Sequence, residues 1–195
     1  MLRVRAQAAS GAWTTPNPRL YNSDAPAKVF PGGGLQGAHG EADIGAKGVE
    51  IMLKHFDHLT IVVRDASRAK EFFAALGFQE AMSVVIKGEP FASYMGVPDI
   101  EADHITLVLE NVSPRTEIQL LRYHHPDALP DPHIRDLNKV GMNHICFAVD
   151  DIEEVVAKVR ACGFDARNAI MDFHSRKLVF LDGPEGVTVE LAEWH

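Results

Sequence analysis

Residues 57–78 read DHLTIVVRDASRAKEFFAALGF, and residues 143–164 read NHICFAVDDIEEVVAKVRACGF. The two stretches align without a gap, so that His58 matches His144 and Phe78 matches Phe164 at one constant offset. An internal repeat of this kind indicates a structural unit that occurs twice and packs against its copy.

A second register supports the duplication. Ile118-Gln119-Leu120 matches Val189-Glu190-Leu191, and Tyr123 matches Trp194. Each unit begins with an alternating apolar run, which predicts a strand, and continues with an amphipathic helix. Asp65 or Ser67 is the expected N-cap of the first helix and Asp151 that of the second, while Gly77 and Gly163 are expected to end them. The strands expected after the helices are 81–87, 104–110 and 116–123, then 166–170, 178–182 and 187–194.

The pattern predicts an α+β fold of two βαβββ modules that form a half-open barrel. We expect the first module at 52–123, a proline-containing linker at 124–141 and the second module at 142–195. Residues 1–51 are rich in proline and glycine and have little apolar surface, so we expect an irregular or disordered extension.

The repeat makes four polar residues equivalent in pairs. His58 and His144 open the first strand of each unit, and Gln119 and Glu190 lie within the last strand between aliphatic neighbours that face the other way. Two halves related by approximate two-fold symmetry would direct all four side chains to one point. Two imidazoles, one amide oxygen and one carboxylate suit Co²⁺, Mn²⁺, Ni²⁺, Fe²⁺ or Zn²⁺, so we predict one divalent metal ion there.

These motifs, FDHLTIVV, TEIQLL, MNHICFAVDD and GPEGVTVELAEW, resemble those of the vicinal-oxygen-chelate superfamily, which includes glyoxalases, bleomycin resistance proteins and dioxygenases. The ligand order His58, Gln119, His144, Glu190 resembles that of methylmalonyl-CoA epimerases. The resemblance implies a metal-dependent isomerase or lyase that moves a proton next to a chelated carbonyl. It also implies an acidic catalytic residue opposite Glu190, for which Glu101 is our choice and Asp103 the reserve.

Two other functions stay open. His58, His144 and Glu190 alone form a two-histidine, one-carboxylate triad, as in non-haem Fe(II) dioxygenases, and then Gln119 is a bystander. A non-catalytic protein of the bleomycin-resistance type would use the same concave fold to bind a ligand. We expect Cys146 to be a small buried residue rather than a ligand, and His104, His133 and His174 to be surface residues.

Charge and composition restrict the partners. The formal net charge is −8, of which residues 1–50 carry +1 and residues 51–195 carry −9. An acidic body is a poor partner for nucleic acid. No apolar run is long enough for a transmembrane helix. We expect a small-molecule substrate with vicinal oxygens, such as an acyl-CoA. We also expect the chain to form a homodimer. The expected location is the cytoplasm, or the mitochondrial matrix if residues 1–50 are a transit peptide.

Overall fold

The computed structural model describes residues 53–195, and the extension expected at 1–51 lies outside the described residues. Two four-stranded mixed sheets follow each other along the chain, and each sheet carries one longer helix. The elements are β1 His58–Val62, α1 Ala66–Ala75, β2 Phe78–Lys87, α2 Phe91–Met95, β3 Glu101–Leu109, β4 Thr116–His125, β5 Ile145–Val149, α3 Ile152–Ala161, β6 Met171–Phe173, β7 Arg176–Asp182, a 3₁₀ turn Pro184–Gly186, and β8 Thr188–Trp194.

The two sheets have the same topology. The strand order is β1-β4-β3-β2 in the first sheet and β5-β8-β7-β6 in the second, and in each the first and last strands of the unit pair in parallel. The other pairings are antiparallel. The predicted pair of βαβββ modules in a half-open arrangement is confirmed, because neither sheet closes on itself.

Local signals fix both long helices. The Asp65 side chain accepts a hydrogen bond from the backbone N–H of Arg68 at 2.9 Å, and Asp151 accepts one from Glu154 at 2.8 Å. Both are N-caps, which satisfy amide groups that have no partner within the helix. Gly77 and Gly163 follow the helix ends with φ of 96° and 74°, the left-handed conformation that glycine adopts without strain.

The larger of two hydrophobic clusters lies between the helices α1 and α3 and the two sheets, and the smaller one, which contains Ile100 and Leu121, packs against α2. Phe72 and Phe73 of α1 are fully buried, and the ring of Phe72 packs edge-on against Phe164 of the second module with 5.0 Å between centroids. Arg68 crosses between the modules as well, donating hydrogen bonds to the carbonyl oxygens of Cys162 and Gly163. The sheet faces turned away from this core are therefore the ones available for a site.

The strand predicted at 166–170 is wrong in position. Ala166 forms a single bridge with Leu181, and the regular strand β6 begins only at Met171. Between them the Asn168 side chain takes the place of a backbone partner, since its Oδ1 accepts from the N–H of Phe180 at 2.9 Å.

The short helix α2 was also not predicted. None of the helices in residues 53–195 has both the length and the apolar character needed to cross a bilayer.

Candidate metal site

The first half of the candidate site lies at the parallel pair of β1 and β4. Thr60 and Gln119 are opposite each other in the register, and the Thr60 hydroxyl donates to Gln119 Oε1 at 3.4 Å. His58 is opposite Glu117, whose carboxylate accepts a hydrogen bond from Gln119 Nε2 at 3.4 Å. The repeat therefore places His58 and Gln119 on the same face of the first sheet.

His104 was expected at the surface, but it belongs to this half of the site. Its Nε2 lies 3.0 Å from Gln119 Oε1, and its side chain is partly buried. It shares a face with Thr106, which is opposite Gln119 in the register of β3 and β4. Alternation in the strand expected at 104–110 gives His104 and Thr106 the same face, but the sequence does not show which residues of β4 lie beside them.

The second half of the site lies at the parallel pair of β5 and β8. His144 Nε2 lies 3.2 Å from Glu190 Oε2, and the Glu190 carboxyl is largely buried. The His144 ring packs against Phe180, with 5.3 Å between ring centroids, and Phe180 is opposite Glu190 in the register. Imidazole and carboxylate, both typical ligands of divalent transition metals, thus already touch in this half.

Cys146 is a neighbour of Glu190 in the register of β5 and β8. Burial and a hydrogen bond to Glu190 raise the pKa of the Cys146 thiol to about 12. The residue as a whole is exposed, so the expectation of a small buried residue at this position is wrong.

The two histidines are held in the same way. His58 Nδ1 bonds Asp57 Oδ2 at 2.6 Å, and His144 Nδ1 bonds Asn143 Oδ1 at 2.7 Å. Both partners accept, so in the neutral ring each Nδ1 carries the proton and each Nε2 carries the lone pair, which in His144 lies beside the Glu190 carboxylate. The hydrogen bond from His58 lowers the pKa of the Asp57 carboxyl below its ordinary value. A second partner on the far nitrogen is the usual support of a metal-binding histidine.

Of the four predicted ligands, His144 and Glu190 are in contact, whereas His58 and Gln119 share a face of the first sheet. Within residues 53–195, one group of three His, Cys, Asp or Glu side chains has all its ligand atoms within 4.8 Å of one another. It consists of Asp151, Glu153 and Glu193. His58, His144 and Glu190 do not form such a group. In donor chemistry and tautomer the residues fit a divalent ion, and their assignment as ligands stays a prediction.

The acidic group Asp151, Glu153 and Glu193 has a structural explanation. Asp151 caps α3, and Glu193 accepts from the backbone N–H of Ile152 at 2.8 Å. Lys177 Nζ lies 3.0 Å from Glu153 and 3.1 Å from Glu193, so the cluster already contains its cation.

The predicted base, Glu101, lies away from Gln119. Its carboxylate binds Lys87 Nζ at 2.7 Å, and this contact lowers the pKa of Glu101. The reserve residue, Asp103, binds His124 at 2.9 Å, on the face opposite to that of Gln119 and His104. The catalytic role of Glu101 stays a prediction, and the geometry gives it no support.

Two clefts run along the free edges of β1 and β5. One has a volume of about 300 Å³ and lies between β1 and residues 128–142, and the other, of about 760 Å³, lies between β5 and the end of α1. Neither is lined by the four candidate ligands, which lie on the open sheet faces.

The model of the Glyoxalase/Bleomycin resistance protein/Dioxygenase superfamily matches residues 57–180, which include both repeated histidines and Gln119. This chain belongs to that superfamily. The recognition made from the repeat is thereby confirmed at the level of the superfamily, which includes metal-dependent enzymes.

Solved structures share the fold. A glyoxalase family protein from Bacillus cereus is 24% identical, with a TM-score of 0.67, and the match covers 75% of this chain and 97% of that one. A glyoxalase I mutant from Zea mays is 15% identical, with a TM-score of 0.51, and the match covers 69% of this chain and 43% of that one. No curated protein matches the sequence.

Proposed function

We propose that this superfamily member is a metal-dependent lyase or isomerase that transfers a proton next to a chelated carbonyl, as epimerases and glyoxalases do. One observation carries the proposal. Both repeated histidines hold Nδ1 against the side chain of the preceding residue, at equivalent positions of two modules, so that Nε2 is the nitrogen left to bind a metal ion. A purely structural role does not require the same hydrogen bond from Nδ1 in both modules.

The proposed ligands are His58, Gln119, His144 and Glu190. A divalent ion bound there acts as a Lewis acid that polarises a substrate carbonyl and lowers the pKa of the adjacent C–H. One carboxylate on a dication leaves a formal charge near +1, which favours a substrate that presents two neighbouring oxygens, one of them anionic. Co²⁺, Mn²⁺, Ni²⁺, Fe²⁺ and Zn²⁺ all accept this ligand set.

The chain must also supply a group that moves the proton. Glu101 is the residue implied by the resemblance to epimerases, but it is bound to Lys87 on the other face. His104 touches Gln119 and faces the site, so we propose that His104 is the better placed of the two.

Exchange of the substrate α-proton tests the proposal. We would incubate the metal-loaded protein with a 2-methyl-branched acyl-CoA and, separately, with a hemithioacetal in D₂O, and follow deuterium incorporation by NMR. The proposal expects exchange with one of them that disappears in His144→Ala. Exchange with neither substrate, in a protein that binds one metal ion, would contradict the proton-transfer chemistry.

A second candidate, a non-haem Fe(II) dioxygenase, is favoured by one contact. Gln119 Oε1 is already engaged by Thr60 and His104, so that His58, His144 and Glu190 would remain as a facial triad. Oxygen uptake by the Fe(II)-loaded protein with a catechol discriminates the two. In the isomerase, Gln119→Ala weakens metal binding, whereas in the dioxygenase it leaves metal binding unchanged.

The partners follow from the same chemistry. We propose a small-molecule substrate with vicinal oxygens, of which an acyl-CoA is one example, and a homodimer. Metal-independent ligand binding without turnover would instead support the bleomycin-resistance type of function. Size-exclusion chromatography with light scattering tests the dimer.

A further inference from the structure

The open face of the second sheet ends in an apolar surface with one cation. Met171, Phe173 and Trp194 are about half exposed there, at 50%, 46% and 60%. Arg176 lies among them, and its guanidinium carbon is 4.5 Å from the centroid of the Trp194 ring. We call these four residues the distal patch.

The distal patch lies on the same sheet face as the candidate metal ligands. In the register, Phe173 is opposite Arg176, Arg176 is opposite Trp194, and Met171 is opposite Leu178. Residues opposite each other in antiparallel strands share a face, as do alternate residues of one strand. Arg176 and Leu178 therefore face the same way as Phe180, which packs on His144. Arg176 and Phe180 are four residues apart, roughly 13 Å along the strand.

The charge of Arg176 is not neutralised by the described part of the chain. Within residues 53–195, no carboxylate lies within 4.0 Å of its guanidinium, and no hydrogen bond acceptor engages it. The nearby acids Glu153 and Glu193 bind Lys177, which alternates with Arg176 along β7 and faces the other side of the sheet. Stacking on Trp194 holds the guanidinium plane and leaves its N–H donors, which match a carboxylate or phosphate, free at its edge.

We propose that the distal patch binds an anionic group of the substrate, with Arg176 as its partner and Met171, Phe173 and Trp194 in contact with an apolar segment. The inference rests on the proposed function, and it narrows the substrate class. The substrate is an elongated acid that carries its chelating oxygens at one end and an apolar body that ends in a carboxylate at the other. This arrangement excludes short neutral substrates.

Trp194 provides a direct readout of the patch. The chain has two tryptophans, so a full-length protein with Trp13→Phe reports on Trp194 alone. We would titrate 4-phenylbutyrate and its neutral amide, 4-phenylbutyramide, and follow Trp194 fluorescence. We expect the acid to bind at least tenfold more tightly than the amide, because a hydrogen bond between charged groups is roughly twice as strong as a neutral one.

Substitutions of Arg176 test whether this residue causes the preference for the acid over the amide. Arg176→Gln should remove the preference for the acid, whereas Arg176→Lys should retain part of it. Arg160→Gln makes the same change of charge on the exposed side of α3 and should leave both affinities unchanged. Equal binding of acid and amide by the parent protein, or an unchanged preference in Arg176→Gln, would overturn the proposal.

The titrations are made both on the protein as purified and after treatment with EDTA. A preference for the acid that needs Arg176 and persists without metal supports the patch, even if the metal proposal fails. A preference that disappears with EDTA in the parent protein means that the acid binds the metal instead, which overturns the patch while supporting the proposed function.

Discussion

The residues before the repeated histidines, Asp57 and Asn143, decide which imidazole nitrogen is free. Because both accept a hydrogen bond from Nδ1, their loss should let the rings rotate and change tautomer. We expect Asp57→Ala and Asn143→Ala each to weaken metal affinity about 10–100-fold, measured by competition with a chelator. Asp150→Ala, an exposed control, should not change it. Unchanged affinity in both variants would show that the contacts do not support a metal site.

His104 and Glu101 are the two candidates for the proton-transfer group, and substitution of each has a different expected effect. His104 touches Gln119, and Glu101 binds Lys87 on the other face. We expect His104→Gln to lower the rate of α-proton exchange about 100-fold or more, and Glu101→Gln to leave it within a few-fold of the parent. The reverse result would restore Glu101 as the base and remove His104 from the mechanism.

At the scale of elements, Glu185 in the turn before β8 connects that turn to the end of β1. Its carboxylate accepts from the backbone N–H of Arg64 at 2.8 Å and from the Arg64 guanidinium at 2.8 and 2.9 Å. Burial tends to raise the pKa of Glu185, but these hydrogen bonds outweigh it, so that the pKa is lower than the ordinary value of 4.5.

The sign of the pH dependence follows. A depressed pKa in the folded state contributes stability that is present above the unfolded pKa and is lost as the pH falls through the folded pKa. We expect Glu185→Gln to lower the free energy of unfolding by about 1–2 kcal/mol at pH 7 and by less below pH 4, measured by urea denaturation. Glu71→Gln, at an exposed helical pair, should have little effect at either pH. A pH-independent difference would mean that the ion pair is not its cause.

Sequence signals predicted the elements that local interactions determine. Asp151 and Gly163 delimit α3 as expected, because a cap and a left-handed glycine act within one turn. The position of β6 was wrong because the backbone pairing of Arg167 with Phe180 is not continued at Asn168, where the side-chain Oδ1 accepts from the N–H of Phe180. His104 was missed for a different reason: alternation places it on the face opposite to Ile105 and Leu107, but the sequence does not show that it lies beside Gln119 of β4. The repeat predicted which residues pair within a module, but the approach of the modules depends on packing between residues far apart in sequence.

At the scale of the whole molecule, the shared core joins the two modules. Phe72 is fully buried and contacts Phe164 across the module boundary. We expect Phe72→Ala to lower the free energy of unfolding by about 3–5 kcal/mol, because it leaves a cavity in the core. Both modules should still unfold in one transition, because both line that cavity. Backbone amide hydrogen exchange, measured separately for the residues of each module, tests this expectation. A variant in which the first module opens while the second keeps its protection would contradict a common core.

The central claim is that two half-sites, one from each module, hold one metal ion. Elemental analysis of metal-loaded protein tests it most directly in the parent, in His58→Ala and in His144→Ala. The account predicts one equivalent of divalent metal per chain in the parent and its loss from both variants. Retention of the metal in His58→Ala, with its loss in His144→Ala, would place the ion in the second module alone and contradict the account.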